Sequence, residues 1–235
     1  MRQTTLIILT FLIYGCSTRQ DPKEVADKDT TIMQAESTAN FDTVLRSQCE
    51  HKDLSNEFDI KVYFERHTDT EKIGDSCFIN ILVIDKSSKT ILDSMKIYSD
   101  YLFEGVFKDC NNILSYTTKV NIDKEIADNY FGDIVICDLN FDSKDDIAII
   151  CNSGGNGGPS YNYYLQGLNK TFYIDKYLTD TMNYFPTKIN SKNRTLITYV
   201  HAGVCWLGEH IYKLDRTNKW TEKSHKTIDI CKDEK

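Results

Sequence analysis

Apolar and polar residues alternate along much of this chain, and the alternation predicts β-strands. Residues 58–64 place Phe, Ile, Val and Phe at every second position, which is the pattern of a half-buried strand. Residues 77–84 form a longer apolar run, and residues 90–98 return after the polar segment 85–89. This order predicts a hairpin whose turn lies at residues 85–89.

The remaining apolar segments are short and rich in aromatic and β-branched residues, which strands favour. No segment has a sustained helical stripe, and at most a short helical turn fits residues 177–182. We therefore predict an all-β fold, with antiparallel strands in a propeller-like or sandwich arrangement. The sequence contains no repeat of fixed period, so it does not indicate a regular propeller. Further strands are predicted at residues 118–122, 133–137, 146–151, 161–166, 171–174, 196–200, 209–214 and 219–230.

The N-terminus has the form of an export signal. Arg2 precedes an apolar run from Leu6 to Tyr14, which is shorter than the roughly 20 apolar residues of a membrane-spanning helix. Gly15 then stands before Cys16, as a small residue does before the cysteine of a bacterial lipobox. We predict that Cys16 is lipid-modified and anchors the protein in the cell envelope, in the outer membrane, facing the periplasm or the surface.

This assignment divides the chain into three parts. Residues 1–15 are the predicted lipoprotein signal peptide. Residues 16–40 contain the lipidated cysteine and then a polar stretch without an apolar period, which predicts a flexible tether. Residues 41–235 are enough for one sizeable core, so we predict a single β-rich domain there.

The cysteines and the charge narrow the class of protein. Apart from Cys16, seven cysteines lie in the exported part, so disulfides are expected, and their odd number leaves at least one thiol unpaired. Cys137 and Cys151 are not expected to pair, because they are offset along adjacent strands by more than a disulfide spans. Without residues 1–15 the net charge is −8, which argues against nucleic acid as a partner and suits a basic protein.

The most specific motif lies at residues 138–146, between two apolar runs. Oxygen-bearing side chains stand at positions 1, 3, 5 and 9 of this loop, which is the spacing of a calcium loop. Ser143 replaces the glycine that is usual at position 6, and Ile149 stands where an EF-hand has its glutamate, so this is not an EF-hand. We predict bound Ca²⁺ as the cofactor, although an Asp-rich and Asn-rich turn without a metal is the alternative. The predicted ligands are the side chains of Asp138, Asn140, Asp142 and Asp146 and the carbonyl of Lys144.

A glycine-rich loop at residues 153–160 follows the strand after the calcium loop. Its glycines allow the backbone to approach another surface closely, and their spacing fits neither a Walker A loop nor a dinucleotide fingerprint. We interpret it as a partner-binding loop, with a flexible connection between strands as the alternative. The predicted contacts are Ser153, Gly154, Gly155, Gly157 and the adjacent Tyr161.

Two other sets of residues leave alternatives open. His201, Cys205 and His210 are close in sequence, but no local signature supports a thiol nucleophile with a base or a zinc site. The aromatic residues Trp206, Tyr212 and Trp220 are consistent with either a glycan-stacking platform or ordinary core positions.

The chain resembles two families at these motifs. The segment from Asp138 to Asp146 is similar to the calcium loop of integrin-type FG-GAP propeller blades. Residues 132–175, with the Asn140-Phe141-Asp142 loop, the glycine-rich loop and the strand from Tyr161 to Leu165, resemble a family of bacterial envelope lipoproteins. Characterised members of that family are immunity proteins that inhibit lysozyme-like toxins delivered by a type IV secretion system. The resemblance implies a β-rich, propeller-like fold and an inhibitory or binding role.

The sequence thus predicts a calcium-stabilised, non-enzymatic envelope lipoprotein that binds and inhibits a peptidoglycan hydrolase or other lysozyme-like protein. No catalytic set of residues can be read from the chain. The alternative is a carbohydrate-binding or adhesive surface module that uses Trp206 or Trp220.

Overall fold

The strands of this protein form three β-sheets in the computed structural model. The structure describes residues 43–68, 75–103, 105–118 and 131–232. The predicted signal peptide, the lipidated Cys16 and the tether at 16–40 lie outside the described residues. The same holds for most of the strand predicted at residues 118–122.

The first sheet is an antiparallel meander in the order β1-β2-β3-β4. The even-numbered residues of β2, from Phe58 to Phe64, are buried, as their alternation predicts. The predicted hairpin is confirmed, and its turn is held by the Asp85 carboxylate, which accepts hydrogen bonds from the backbone N–H groups of Ser87 and Ser88, both at 2.8 Å. The strands are Thr43–His51 (β1), Phe58–Thr68 (β2), Asp75–Asp85 (β3) and Ile91–Leu102 (β4).

The second sheet has the order β5-β6-β7-β8-β9 and carries both predicted functional loops. All four residues of β6 are buried, which explains why this strand reads as a continuous apolar run rather than an alternation. β5 is parallel to β6, and the other neighbours are antiparallel. The strands are Ser115–Thr117 (β5), Ile134–Cys137 (β6), Asp146–Asn152 (β7), Ser160–Gln166 (β8) and Phe172–Ile174 (β9).

The third sheet is an antiparallel meander in the order β10-β11-β12-β13. Before it, residues Leu178–Met182 form one turn of π-helix, which confirms the short helical turn expected there. The two other helical segments in the described ranges are single 3₁₀ turns, Cys110–Asn112 and Leu168–Lys170. The strands are Lys188–Asn190 (β10), Thr195–His201 (β11), Trp206–Leu214 (β12) and Trp220–Asp229 (β13).

Side-chain contacts connect the sheets. Lys170, which follows β8, donates a hydrogen bond of 2.8 Å to Asp85 at the end of β3. The ring of Phe58 in β2 meets the ring of Phe172 in β9 edge-on, with centroids 5.5 Å apart. The prediction of an all-β fold is confirmed, and the three sheets fit a sandwich-like arrangement.

Two disulfides form among the described cysteines, Cys49–Cys110 and Cys205–Cys231. Cys77, Cys137 and Cys151 are free thiols. The expectation that Cys137 and Cys151 do not pair is therefore confirmed.

In the described ranges, no helix combines the length and the apolar content needed to span a bilayer.

Candidate functional site

The Asp138 loop joins β6 to β7, and the Asp138 side chain fixes its first turn. Asp138 is 8% exposed, and its Oδ1 accepts a hydrogen bond from the backbone N–H of Asp142 at 3.0 Å. Its Oδ2 accepts from the backbone N–H of Ser143 at 2.9 Å. Burial raises the pKa of this carboxyl, because desolvation disfavours the charged form.

The next two oxygen-bearing side chains bond to the loop in the same way. Asn140 Oδ1 accepts from the backbone N–H of Asp142, and Asp142 Oδ1 accepts from the backbone N–H of Lys144, both at 3.0 Å. Asp142 Oδ2 lies 3.3 Å from the Lys144 ammonium. The three side chains at positions 1, 3 and 5 therefore all turn inward onto their own loop.

The loop backbone explains why glycine is usual at its sixth position. Ser143 has a φ of +67°, in the left-handed region, and Phe141 has a φ of +62°. A residue with a Cβ in this region costs about 1–2 kcal/mol relative to the right-handed conformation. Ser143 therefore takes a conformation that glycine would adopt at lower cost.

Asp146, at position 9, stabilises the loop from its buried side. It has no exposed surface, and its Oδ2 accepts from the backbone N–H groups of Leu139 at 2.9 Å and Asn140 at 3.3 Å. Its Oδ1 accepts from the backbone N–H of Gln166 in β8 at 2.9 Å. Burial raises the pKa of this carboxyl to about 8. The carboxylate thus ties the start of the loop to the neighbouring strand.

The donor set fits a hard cation. Each carboxylate or amide oxygen has a second lone pair after accepting one backbone hydrogen bond, so Asp138, Asn140 and Asp142 retain acceptor capacity. Oxygen atoms of this kind are what Ca²⁺ prefers. The Lys144 ammonium beside Asp142 is the group that a bound cation would have to displace.

A cleft of about 340 Å³ adjoins the loop and extends to the third sheet. On one side it is lined by Asn140 and Asp142, and on the other by Trp220. Arg194, in the β10–β11 turn, donates from Nη2 to the carbonyl of Asn140 at 3.5 Å and to Asn218 Oδ1 at 2.9 Å. The loop is therefore held by the third sheet as well as by its own sheet.

The glycine-rich loop joins β7 to β8 and is held firmly at its base. The backbone N–H of Ser153 donates to the carbonyl of Tyr101 at 2.9 Å, and the backbone N–H of Phe103 donates to Ser153 Oγ at 2.7 Å. Gly154 has a φ of +67°, and a Cβ there would lie 1.8 Å from the carbonyl oxygen of Gly158. A side chain at position 154 would therefore clash with the backbone at Gly158, so only glycine fits there.

The prediction that Tyr161 anchors a partner is wrong. Its side chain has no exposed surface, and its ring packs against Phe185 with centroids 5.6 Å apart. Its hydroxyl donates to the carbonyl of Gly132 at 2.9 Å and accepts from the backbone N–H of Phe131 at 3.3 Å. The alternation of β8 turns Tyr161 into the core, where it supports the sheet.

The glycines of the loop differ in what they face. A Cβ at Gly157 would lie 2.7 Å from Tyr184 Oη and 3.0 Å from Val200 Cγ1, so Gly157 packs against this chain. A Cβ at Gly155 would have nothing within 4 Å. Of the predicted glycine contacts, Gly155 is therefore the one that is open to a partner.

Two exposed aromatic side chains flank the loop and were not predicted from the sequence. Tyr101 is 67% exposed and Phe103 is 46% exposed, and the Ser153 hydrogen bonds join the backbone of both residues to the loop. They end an alternating strand far from the loop in sequence, so no local pattern relates them to residues 153–158. We name Tyr101, Phe103, Ser153, Gly155 and Asn156 the loop surface.

The fold also decides between the alternatives for the three aromatic residues and for Cys205. Trp220 and Tyr212 are buried, so they cannot form a glycan platform, whereas Trp206 is 45% exposed. Cys205 is bonded to Cys231, so it is neither a thiol nucleophile nor a zinc ligand.

Comparison with protein-family models and with curated proteins gives no match. Among solved structures, that of a Xanthomonas type IV secretion system related protein has a similar fold, with a TM-score of 0.50 and 18% sequence identity. The alignment covers 84% of this chain and 87% of that chain. At this identity the likeness shows the fold alone.

Proposed function

We propose that this protein is a calcium-stabilised lipoprotein of the cell envelope that binds and inhibits a peptidoglycan hydrolase, as an immunity-type inhibitor. The observation that carries the proposal is the loop surface. It combines a braced, glycine-rich tip with two exposed aromatic side chains that have no role in the core.

This arrangement has the properties of a docking surface. Aromatic residues supply much of the binding energy at protein interfaces, because they bury a large area with few rotatable bonds. The hydrogen bonds of Ser153 hold the backbone at Tyr101 and Phe103 in place before any partner arrives. A preorganised surface loses less entropy on binding, which favours affinity.

Charge and fold agree with a basic partner in the envelope. The net charge of −8 without residues 1–15 suits a cationic hydrolase, because complementary charge speeds encounter. The similar fold belongs to a protein related to type IV secretion, and the lipobox-like N-terminus supports a location at a membrane. We extend the association with type IV secretion to this chain as part of the proposal.

Calcium has a structural role in this proposal. The Asp138 loop precedes β7 and the loop surface follows it, so the seven residues of β7 separate the two. At about 3.3 Å per residue, the two loops lie roughly 20 Å apart along the strand. Bound Ca²⁺ therefore acts on the stability of the second sheet rather than on the partner directly.

Inhibition of hydrolysis is the direct test. Muramidase activity on purified cell wall is measured against added protein, with a lysozyme-like enzyme encoded beside this gene as the target. We expect the wild-type protein to inhibit, and Tyr101→Ala and Gly155→Val each to weaken inhibition about thirtyfold or more, which corresponds to an interface hot spot of about 2 kcal/mol.

Tyr98→Ala is the matched control, because Tyr98 is also an exposed tyrosine of β4, at 54% exposure, but lies away from residues 153–158. It should inhibit like the wild type. Equal inhibition by all four proteins would remove the loop surface from the mechanism, and no inhibition by the wild type would refute the inhibitor proposal.

The second candidate function is a carbohydrate-binding or adhesive module, and the exposed Trp206 favours it. In that case the wild-type protein would be retained on peptidoglycan, and Trp206→Ala would elute with the unretained fraction. Equal retention of both proteins would exclude Trp206 as the glycan platform.

A further inference from the structure

Two histidines face each other across β12 and β13. His210 and His225 are direct partners in the strand register, and their rings stack with centroids 4.1 Å apart and an interplanar angle of 13°. The side chain of His210 is 23% exposed, and His225 lies on the open side of the pair. The sheet therefore holds two imidazoles side by side at its edge.

A β-bulge brings a carboxylate to the same place. The register shifts after Ile211, so that Tyr212 pairs with Glu222 instead of with Lys223. Regular pairing would have placed the Lys223 ammonium on this face of the sheet, whereas the bulge substitutes an acid. Glu222 Oε1 lies 2.8 Å from His210 Nδ1.

This contact sets the chemistry of the His210 ring. An ionised carboxylate accepts hydrogen bonds only, so Nδ1 is the donor, and in the neutral ring Nε2 carries the lone pair. A carboxylate on one ring nitrogen, with the other nitrogen free to ligate, is the usual arrangement around a metal-binding histidine.

The Nε2 atoms of both rings border one space, which the absence of a side chain at Gly208 leaves open. A Cβ at Gly208 would lie 3.1 Å from His210 Nε2 and 3.5 Å from His225 Nε2. Ligand atoms from His210, Glu222 and His225 lie within 4.8 Å of one another. Two imidazole nitrogens thus lie beside the same gap, and because the stacked rings are nearly parallel, a ring must rotate for both lone pairs to meet at one ion.

We propose that His210 and His225 bind a divalent late transition-metal ion of the Zn²⁺ class through their Nε2 atoms, with Glu222 as the residue that positions His210. Imidazole suits Zn²⁺, Ni²⁺ and Cu²⁺, whereas Ca²⁺ requires oxygen ligands. The site is therefore chemically distinct from the Asp138 loop. Its open side leaves coordination positions for water or for a donor group from another molecule.

The bound ion would link the edge strand β13 to β12. The Cys205–Cys231 disulfide already joins the two strands at one end. The metal would add a second link four residues before Asp229, the last residue of β13. Because only the folded sheet brings the two imidazoles together, binding should stabilise the folded state.

Zinc binding by the purified protein tests the proposal. Zn²⁺ is titrated against a chromophoric chelator, and the melting temperature is followed in parallel. We expect wild type to bind one equivalent that His210→Ala and His225→Ala both lose. Glu222→Gln should weaken the affinity 10–100-fold, the usual effect of removing the carboxylate behind a ligating histidine. Gly208→Ala should also weaken it, because the added methyl enters the space between the nitrogens.

Two control variants distinguish this site from another histidine and from the calcium loop. His201→Ala removes a histidine from the opposite face of the same sheet and should bind Zn²⁺ like the wild type. Asp138→Ala should also retain Zn²⁺ binding, which separates this result from the calcium proposal. Unchanged binding by a correctly folded His225→Ala variant, or no Zn²⁺ bound by the wild type, would overturn the assignment. Circular dichroism of each variant checks the fold.

Discussion

The ring of Phe141, in the Asp138 loop, packs against the ring of Trp220 with centroids 6.3 Å apart. Phe141 belongs to the second sheet's β6–β7 connection, and Trp220 is the first residue of β13 in the third sheet. The left-handed φ of Phe141 turns its side chain toward this contact. The predicted metal loop is thereby coupled to the packing between two sheets.

This contact predicts a large effect of Trp220→Ala. Trp220 is 5% exposed, and removing a buried aromatic side chain costs about 3–5 kcal/mol of unfolding free energy. Urea unfolding measures the loss, and a double-mutant cycle with Phe141→Ala should give a coupling of about 0.5–1.5 kcal/mol. Trp206→Ala, at an exposed position, should change stability by less than about 0.5 kcal/mol. Additive effects of the Phe141 and Trp220 substitutions would contradict the coupling.

Calcium should stabilise the protein if the Asp138 loop binds it. At about 100-fold excess over the dissociation constant, the gain is roughly 2.7 kcal/mol and should appear as a higher melting temperature. Asp142→Asn is the sharpest variant, because it keeps an acceptor for the Lys144 N–H while removing the charge. It should melt at the same temperature with and without Ca²⁺. Identical melting of the wild type in Ca²⁺ and in chelator would reject the site.

Asp138→Ala is a less informative variant than Asp142→Asn. Asp138 accepts the backbone hydrogen bonds of Asp142 and Ser143, so its removal destabilises the loop even without a metal. We expect a lower melting temperature in chelator for Asp138→Ala but not for Asp142→Asn. This difference separates bracing of the loop from ligation.

Acid should weaken the link between the first and second sheets at Asp85. The Lys170 hydrogen bond, and then those of Ser87 and Ser88, hold the pKa of Asp85 below its usual value. A carboxyl with a lowered folded-state pKa stabilises the protein above its unfolded pKa of about 4 and loses this contribution as the pH falls further. Asp85→Asn should therefore reduce stability at neutral pH and flatten its decline in acid.

Urea midpoints at neutral pH and below about pH 4 measure the Asp85 effect. Asp53→Asn is the surface control, because the Asp53 side chain is 95% exposed. It should leave the neutral midpoint unchanged. An equal decline in acid for Asp85→Asn and wild type would show that Asp85 does not contribute.

Membrane attachment should depend on Cys16. In Cys16→Ser the thiol that would carry the lipid is absent, so the protein should leave the membrane fraction and lose acyl labelling. Fractionation and labelling of cells that express each form provide the measurement. Membrane association that persists in Cys16→Ser would contradict the lipid anchor.

The sequence by itself determined what depends on neighbouring residues. The alternation at residues 58–64 was sufficient to predict β2, because side chains of a half-buried strand alternate between core and solvent. The polar run at 85–89 was sufficient to predict the turn between β3 and β4. The Asp138 loop was also predictable as a turn, since the hydrogen bonds of the Asp138 side chain join residues within five positions of one another.

Only the tertiary structure decided which distant residues meet. Tyr161 and Tyr101 are both aromatic strand residues, yet the packing of the sheets buries the first and exposes the second. His210 and His225 become neighbours through the register of β12 and β13, and a single bulge selects Glu222 over Lys223 as their companion. Strand register depends on the packing of whole sheets, and a shift of one residue reverses every side chain, so the local sequence does not contain it.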